Sequence, residues 1–223
     1  MRWIIEHMLR YLLTFVLLVP AGVFSQTLVD SIRVHRNFHL ELSLGPAWSS
    51  IHDDVASHLG PIEQDITGMG FSYELRLGWF VIPNLALTAD LAGTDIYNPQ
   101  LETTQESYLS GMSFTTHTPT FGTGITWYKM PANFFAGFSL GIGKIYFHQG
   151  SSLVLADLET GSFWNLRLGK HWWISDNWGI SCTANYGRTE AKSDPSIHCD
   201  VGGGYLHDMR SSRISLMVGI GLR

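Results

Sequence analysis

Three groups of residues in this 223-residue chain have types and spacings that could do chemistry. The first is a balanced set of three carboxylates and three guanidiniums: Glu41, Glu74 and Asp90 with Arg76, Arg167 and Arg213. Each lies in a stretch that alternates apolar and non-apolar residues, and each falls on the non-apolar phase. In a strand, one phase is one face, so all six are expected on a common face, where opposite charges can pair bidentately. Such a set would either line a charged constriction passing small ions or fill the space as solid polar packing.

The second group is rich in imidazole and carboxylate. His52, Asp53, Asp54 and His58 stand in HDDVASH, His198, Cys199 and Asp200 in HCD, and His207 and Asp208 in LHD. These are suitable zinc ligands, but none of the tight metal-site spacings is present. The expectation is no metal, with His52, Asp54, His58, His198, Asp200 and His207 as the loop candidates. The third group, His148 with Ser151 and Ser152 in HQGSS, offers a base and a nucleophile without a carboxylate to orient the base. No catalytic residue is expected. GIGK and VGGGY lack the spacing and helical context of phosphate loops, so no cofactor is expected either.

The elements that must position these residues are strands. FHLELSLGPAW puts Phe38, Leu40, Leu42, Leu44 and Trp48 on one face, and FSYELRLGW repeats the pattern over Phe71 to Trp79. The same period of two runs through Leu85–Gly93, Thr120–Tyr128, Phe135–Phe147, Phe163–Trp173, Trp178–Gly187 and Ser212–Arg223. That makes eight strands. Strands two and three, four and five, and six and seven are joined by short turns built on Pro or Ser-Asp followed by Asn, a residue that tolerates a left-handed backbone. The other links, Ser49–Met69, Thr94–Met112, His148–Gly161 and Arg188–Arg210, are long. Short turns at one end and long loops at the other describe an up-and-down meander, which an even strand count lets close into a barrel.

Which face points inward follows from composition. The non-apolar face is mostly Gly, Ser and Thr, as at Gly122, Gly124, Thr126, Gly137, Ser139, Gly141, Ser215 and Gly219, and only 15% of the chain is charged. That face makes a poor aqueous exterior and a good narrow interior. The apolar face is then outside, in hydrocarbon, and closure satisfies every backbone donor and acceptor. Trp79, Trp127, Tyr128, Trp172, Trp173 and Trp178, beside the short turns, are expected as an aromatic girdle at the membrane boundary. Lys144 and Lys170 fall on the outward phase, where a lysine near a rim can snorkel.

Arg2 and Arg10, the apolar run Tyr11–Val19 and the small-residue site before Gln26 have the form of a cleavable export signal over residues 1–25. Glu6 sits awkwardly in it, and Met8 is an alternative start. Residues 26–37 are expected as a short periplasmic segment and 38–223 as the barrel. Cys182 falls mid-strand and Cys199 in a loop, a placement that argues against pairing without excluding it. With a net charge of −5 and no basic stripe, nucleic acid is not an expected partner.

RLGWFVIPNLALTADL, its echoes TWYKMPANFFAG and KHWWISDNWGI, and the closing ISLMVGIGLR resemble the small eight-stranded outer-membrane β-barrels of Gram-negative bacteria. The resemblance covers Phe38 to Arg223. It implies an outer-membrane location, contact with outer-membrane lipids and lipopolysaccharide, and insertion by the barrel-assembly machinery. Members commonly end in an aromatic residue, whereas this chain ends Leu222-Arg223. In fold alone it also resembles barrel enzymes that edit lipid A, but the His-x-Ser signature of the deacylases is absent. The expected role is non-enzymatic: a monomeric structural or surface-interaction protein with its interior plugged and its long loops facing an external ligand. A narrow porin-like diffusion channel is the competing reading.

Overall fold

The computed structural model describes residues 35, 37–57, 60–104, 113–149, 152–155, 160–192 and 206–222. The expected leader, 1–25, lies outside them. Eight staves close into a ring: β1 (Phe38–Ser57), β2 (Gly60–Ile82), β3 (Leu85–Tyr97), β6 (Thr120–Lys129), β7 (Phe134–Gly143), β10 (Gly161–Trp173), β11 (Trp178–Lys192) and β12 (Leu206–Leu222). Each pairs antiparallel with the next, and β1 closes on β12 from Leu40↔Leu222 to Ala56↔Leu206. Four short strands, β4 (Gln100–Thr103), β5 (Thr115–His117), β8 (Tyr146–Gln149) and β9 (Ser152–Leu155), extend the sheet beyond the ring.

Staves β6 and β7 have ten residues each and set the height of the ring. β1 and β2, with 20 and 23, overshoot it at the end remote from the short turns. The expected loop Ser49–Met69 is therefore mostly one long hairpin. Three of its four acidic residues mislead because they sit on the outer phase, where Asp54, Glu63 and Asp65 alternate with buried Val55, Gln64 and Ile66. β4, β5, β8 and β9 are too short for a period to declare itself.

The short turns work as their chemistry requires in two of three cases. Asn84 and Asn133 hold positive φ, 66° and 56°. In the third turn Asn177 is not left-handed; the Ser175 hydroxyl accepts from the Trp178 amide at 3.2 Å and closes the bend instead.

The core lies inside the ring in three layers. At the short-turn end Phe80, Ala86, Tyr128 and Phe135 pack with buried His35, His39 and His171. The middle is ionic and hydroxylic. At the far end Ile51, Ile66, Phe114, Ile145, Phe147, Ala191 and Met209 form an apolar cap. The outer face is a continuous band of Leu42, Leu44, Leu75, Leu77, Leu91, Phe121, Ile125, Leu140, Leu166, Leu168, Ile214 and Val218, with Leu168 65% exposed. A patch of that extent far exceeds what soluble monomers present to water.

Candidate functional site: the ionic layer of the lumen

Strand parity fixes the middle layer. Glu41 faces Arg76 across the β1–β2 pair, and Arg76 faces Asp90 across β2–β3. Glu74 lies two residues from Arg76 on the same inward phase. Arg167 reaches across the lumen from β10. Glu74 Oε1 accepts from Arg76 Nη2 at 2.7 Å, Arg76 Nε at 3.2 Å and Arg167 Nη1 at 2.8 Å. Asp90 lies 3.0 Å from Arg167 and 3.4 Å from Arg76, and accepts from the Ser139 hydroxyl at 2.5 Å. Glu41 accepts from Ser43 and Ser181 at 2.9 and 2.8 Å, sits 3.1 Å from His39, and stands 3.7 Å from Arg76.

Five of the six charged residues thus form one connected group. Arg213 stands apart from it. Among the described residues it makes no ion pair; its guanidinium lies over Phe163 at 5.5 Å and borders a cavity of about 10 Å³ lined by Ser72, Glu74, Asn165, Asn185 and Ser215. That volume admits about one water. Its separation follows from register. Arg213 is opposite Ser49, above the level of Glu41, which pairs with Gly221 on the same strand.

The layer below was not identified in the sequence. His35, ahead of β1, is fully buried in the mouth of the ring. Its amide donates to Asn84 Oδ1 at 3.1 Å, Nε2 meets Asn133 Oδ1 at 2.6 Å, and its ring stacks on Tyr128 at 3.9 Å. His171 follows Arg167 by four residues on the same inward phase, a signal the sequence did contain. The two turn asparagines therefore do two jobs, bending the chain and holding the histidine that closes this end.

The girdle needs correcting. Trp79, Trp127 and Trp178 face outward, 61%, 52% and 46% exposed, and Trp172 shares that phase. Tyr128 and Trp173 do not belong to it: Tyr128 is buried, and the Trp173 ring meets His35 and His171 inside. Adjacent residues of a strand point to opposite faces, so Trp127-Tyr128 and Trp172-Trp173 each contribute one ring outside and one inside. Lys170, outward near the short-turn rim, lies over Phe134 and Trp172.

Of the metal candidates, His58, His198 and Asp200 lie outside the described residues. The others are split by the sheet. His52 faces outward between Asp65 (2.8 Å) and Asp54 (3.3 Å), whereas His207 faces inward onto Asp53 at 2.8 Å. The bond to Asp65 is the main cause that raises the His52 pKa, against partial desolvation. Among the described residues no three His, Cys, Asp or Glu gather as a metal site. His148 adjoins His117; Ser151 lies outside the described residues. Cys182 is on the outer phase of β11, and Cys199 lies outside the described residues.

No family model and no curated protein matches the sequence. Solved structures do match. The outer membrane protein OprG from Pseudomonas aeruginosa is similar at 12% identity and a TM-score of 0.55, over 86% of this chain and 100% of that one. Neisserial surface protein A is similar at 13% identity and a TM-score of 0.50, over 86% and 99%. The likeness is one of fold, that of the small eight-stranded outer-membrane β-barrel.

Proposed function

We propose that this chain is an exported outer-membrane barrel with a closed lumen, serving as a non-enzymatic structural or surface-interaction protein. The observation that carries the reading is the pairing of a continuous apolar exterior with an interior where five of the six central charged residues are linked to one another. Ten residues are about the length of a tilted strand that crosses a bilayer, which matches β6 and β7. The extension of β1, β2, β11 and β12 then stands outside the membrane, where it and the intervening loops would meet an external ligand. Lipopolysaccharide would surround the boundary, and the barrel-assembly machinery would insert the chain.

A narrow diffusion channel is the competing reading, and the cavity beside Arg213 is the feature that favours it. A solute would have to cross the His35–Tyr128 layer, the carboxylate–guanidinium layer and the Ile51–Phe147 cap in turn. Planar-bilayer recording decides between them. The closed lumen predicts no steady conductance; stable openings near the nanosiemens scale would establish the channel.

A further inference from the structure

A pair of histidines, His117 and His148, meets on the outer face of the sheet extension. β5 pairs with β3 through Asp95↔His117 and with β8 through His117↔Tyr146 and Thr115↔His148. Thr116 and Phe147 are buried on the inner face, so the alternating neighbours His117 and His148 share the outer one. They are diagonal partners on adjacent strands, a separation that long or aromatic side chains bridge. Their ring centres are 4.9 Å apart with the planes at 89°. An imidazole bound to a first-row ion at about 2.0–2.1 Å has its ring centre about 3.2 Å from the metal, so two ligands at the tetrahedral angle hold their centres about 5 Å apart. The observed spacing lies within the edge-to-face range and is also short enough for both rings to reach one ion.

Asp95 supplies the second requirement. Its carboxylate is 2.7 Å from His117 Nδ1, with the aspartate 19% and the histidine 36% exposed. A carboxylate on one ring nitrogen fixes the tautomer and leaves Nε2 as the lone-pair donor, and it is one of the partners found behind metal-bound histidines. His52 contrasts with this: both its nitrogens face carboxylates, which leaves none for a metal.

We propose that His117 and His148 form a two-imidazole site for a divalent transition cation of the copper, nickel or zinc class, with Asp95 as the residue that positions His117 and with water completing the coordination. Imidazole suits these ions, and copper binds such donors most tightly. The inference rests on strand register and ring geometry alone, independently of any role for the lumen.

The test uses the untagged full chain folded in detergent, with folding checked by heat-modifiable gel migration. One equivalent of Cu²⁺ is added and followed by electron paramagnetic resonance, and Ni²⁺ and Zn²⁺ affinities are measured by calorimetry. The expected spectrum has two equatorial imidazole nitrogens. His148→Gln should weaken the tightest site at least about tenfold, and Asp95→Asn, which keeps a hydrogen bond to Nδ1 but removes the charge, by about 10–100-fold. The other histidines of the chain make the His117→Asn/His148→Gln variant the decisive control. Affinity within twofold of the parent in that variant overturns the proposal. So does a parent spectrum without imidazole nitrogen, which needs no variant to fold.

Discussion

Replacing Glu74 by Gln probes the centre of the lumen, because one of its oxygens serves both guanidiniums of the connected group. Glutamine keeps the size of the side chain and an accepting oxygen but removes the charge. Three guanidiniums, Arg76, Arg167 and Arg213, would then face two carboxylates, Glu41 and Asp90, all of them buried. Removing one partner from a buried ion pair costs about 3–5 kcal/mol, since the remaining charge keeps its desolvation penalty. Three charge-assisted contacts at about 1.5–3 kcal/mol each would give more, but they converge on one oxygen and do not add. The expected loss is therefore about 3–5 kcal/mol. Equilibrium urea unfolding in phospholipid vesicles, followed by tryptophan fluorescence, reads it as a lowered midpoint. Glu190→Gln is the control: Glu190 pairs with Arg188 at 2.9 Å, but the two side chains are 47% and 37% exposed, so the cost should stay under about 1 kcal/mol. If the two variants fall within about 1 kcal/mol of each other, the ionic layer does not hold the lumen.

Other consequences can be checked separately. His35→Ala should lower the same midpoint by about 1–3 kcal/mol, because buried Asn133 loses its ring partner and Tyr128 loses the stacked imidazole. At the outer tip of β1–β2 the raised pKa of His52 means its protonated form is favoured on folding. The associated stabilisation is complete below the ordinary histidine range and disappears as pH rises through the raised value. Protection of the amides of residues 51–56 and 62–66, after correction for the intrinsic pH dependence of exchange, should therefore be higher at pH 6 than at pH 8, and His52→Gln should erase the difference. Gly141→Val should block assembly, since any β-carbon at Gly141 would strike the Phe121 carbonyl and Gly122. Its gel migration should no longer be heat-modifiable.

Much of the architecture was legible because a strand exposes its period. Phe38 to Trp48 and Phe71 to Trp79 alternate strictly, and the turn residues between Ile82 and Leu85 and between Lys129 and Phe134 punctuate them. The same parity put Glu41, Glu74, Arg76, Asp90, Arg167 and Arg213 on one face; it could not give their heights, which depend on register across the closing β1–β12 seam. Arg213 is separated from the others for that reason. Tyr128 and Trp173 were misplaced because proximity to a turn was given more weight than alternation. The cap was hidden because Ile51, Ile66, Phe114, Phe147 and Met209 come from five different segments and meet only in three dimensions. His117 and His148 were invisible as a pair for the same reason: 31 positions apart, they become neighbours only through the β5–β8 register.

Everything proposed for the lumen requires that the Leu-rich surface meet lipid. Nitroxide labels at Leu75→Cys, Leu91→Cys and Leu166→Cys, and at Glu190→Cys on the extension, in a Cys182→Ser/Cys199→Ser background, measure this by power saturation in vesicles. An inside-out barrel predicts that the three leucine sites collide more with dissolved oxygen than with a water-soluble nickel chelate, and that Glu190 does the reverse. Leucine sites that favour the chelate would contradict it.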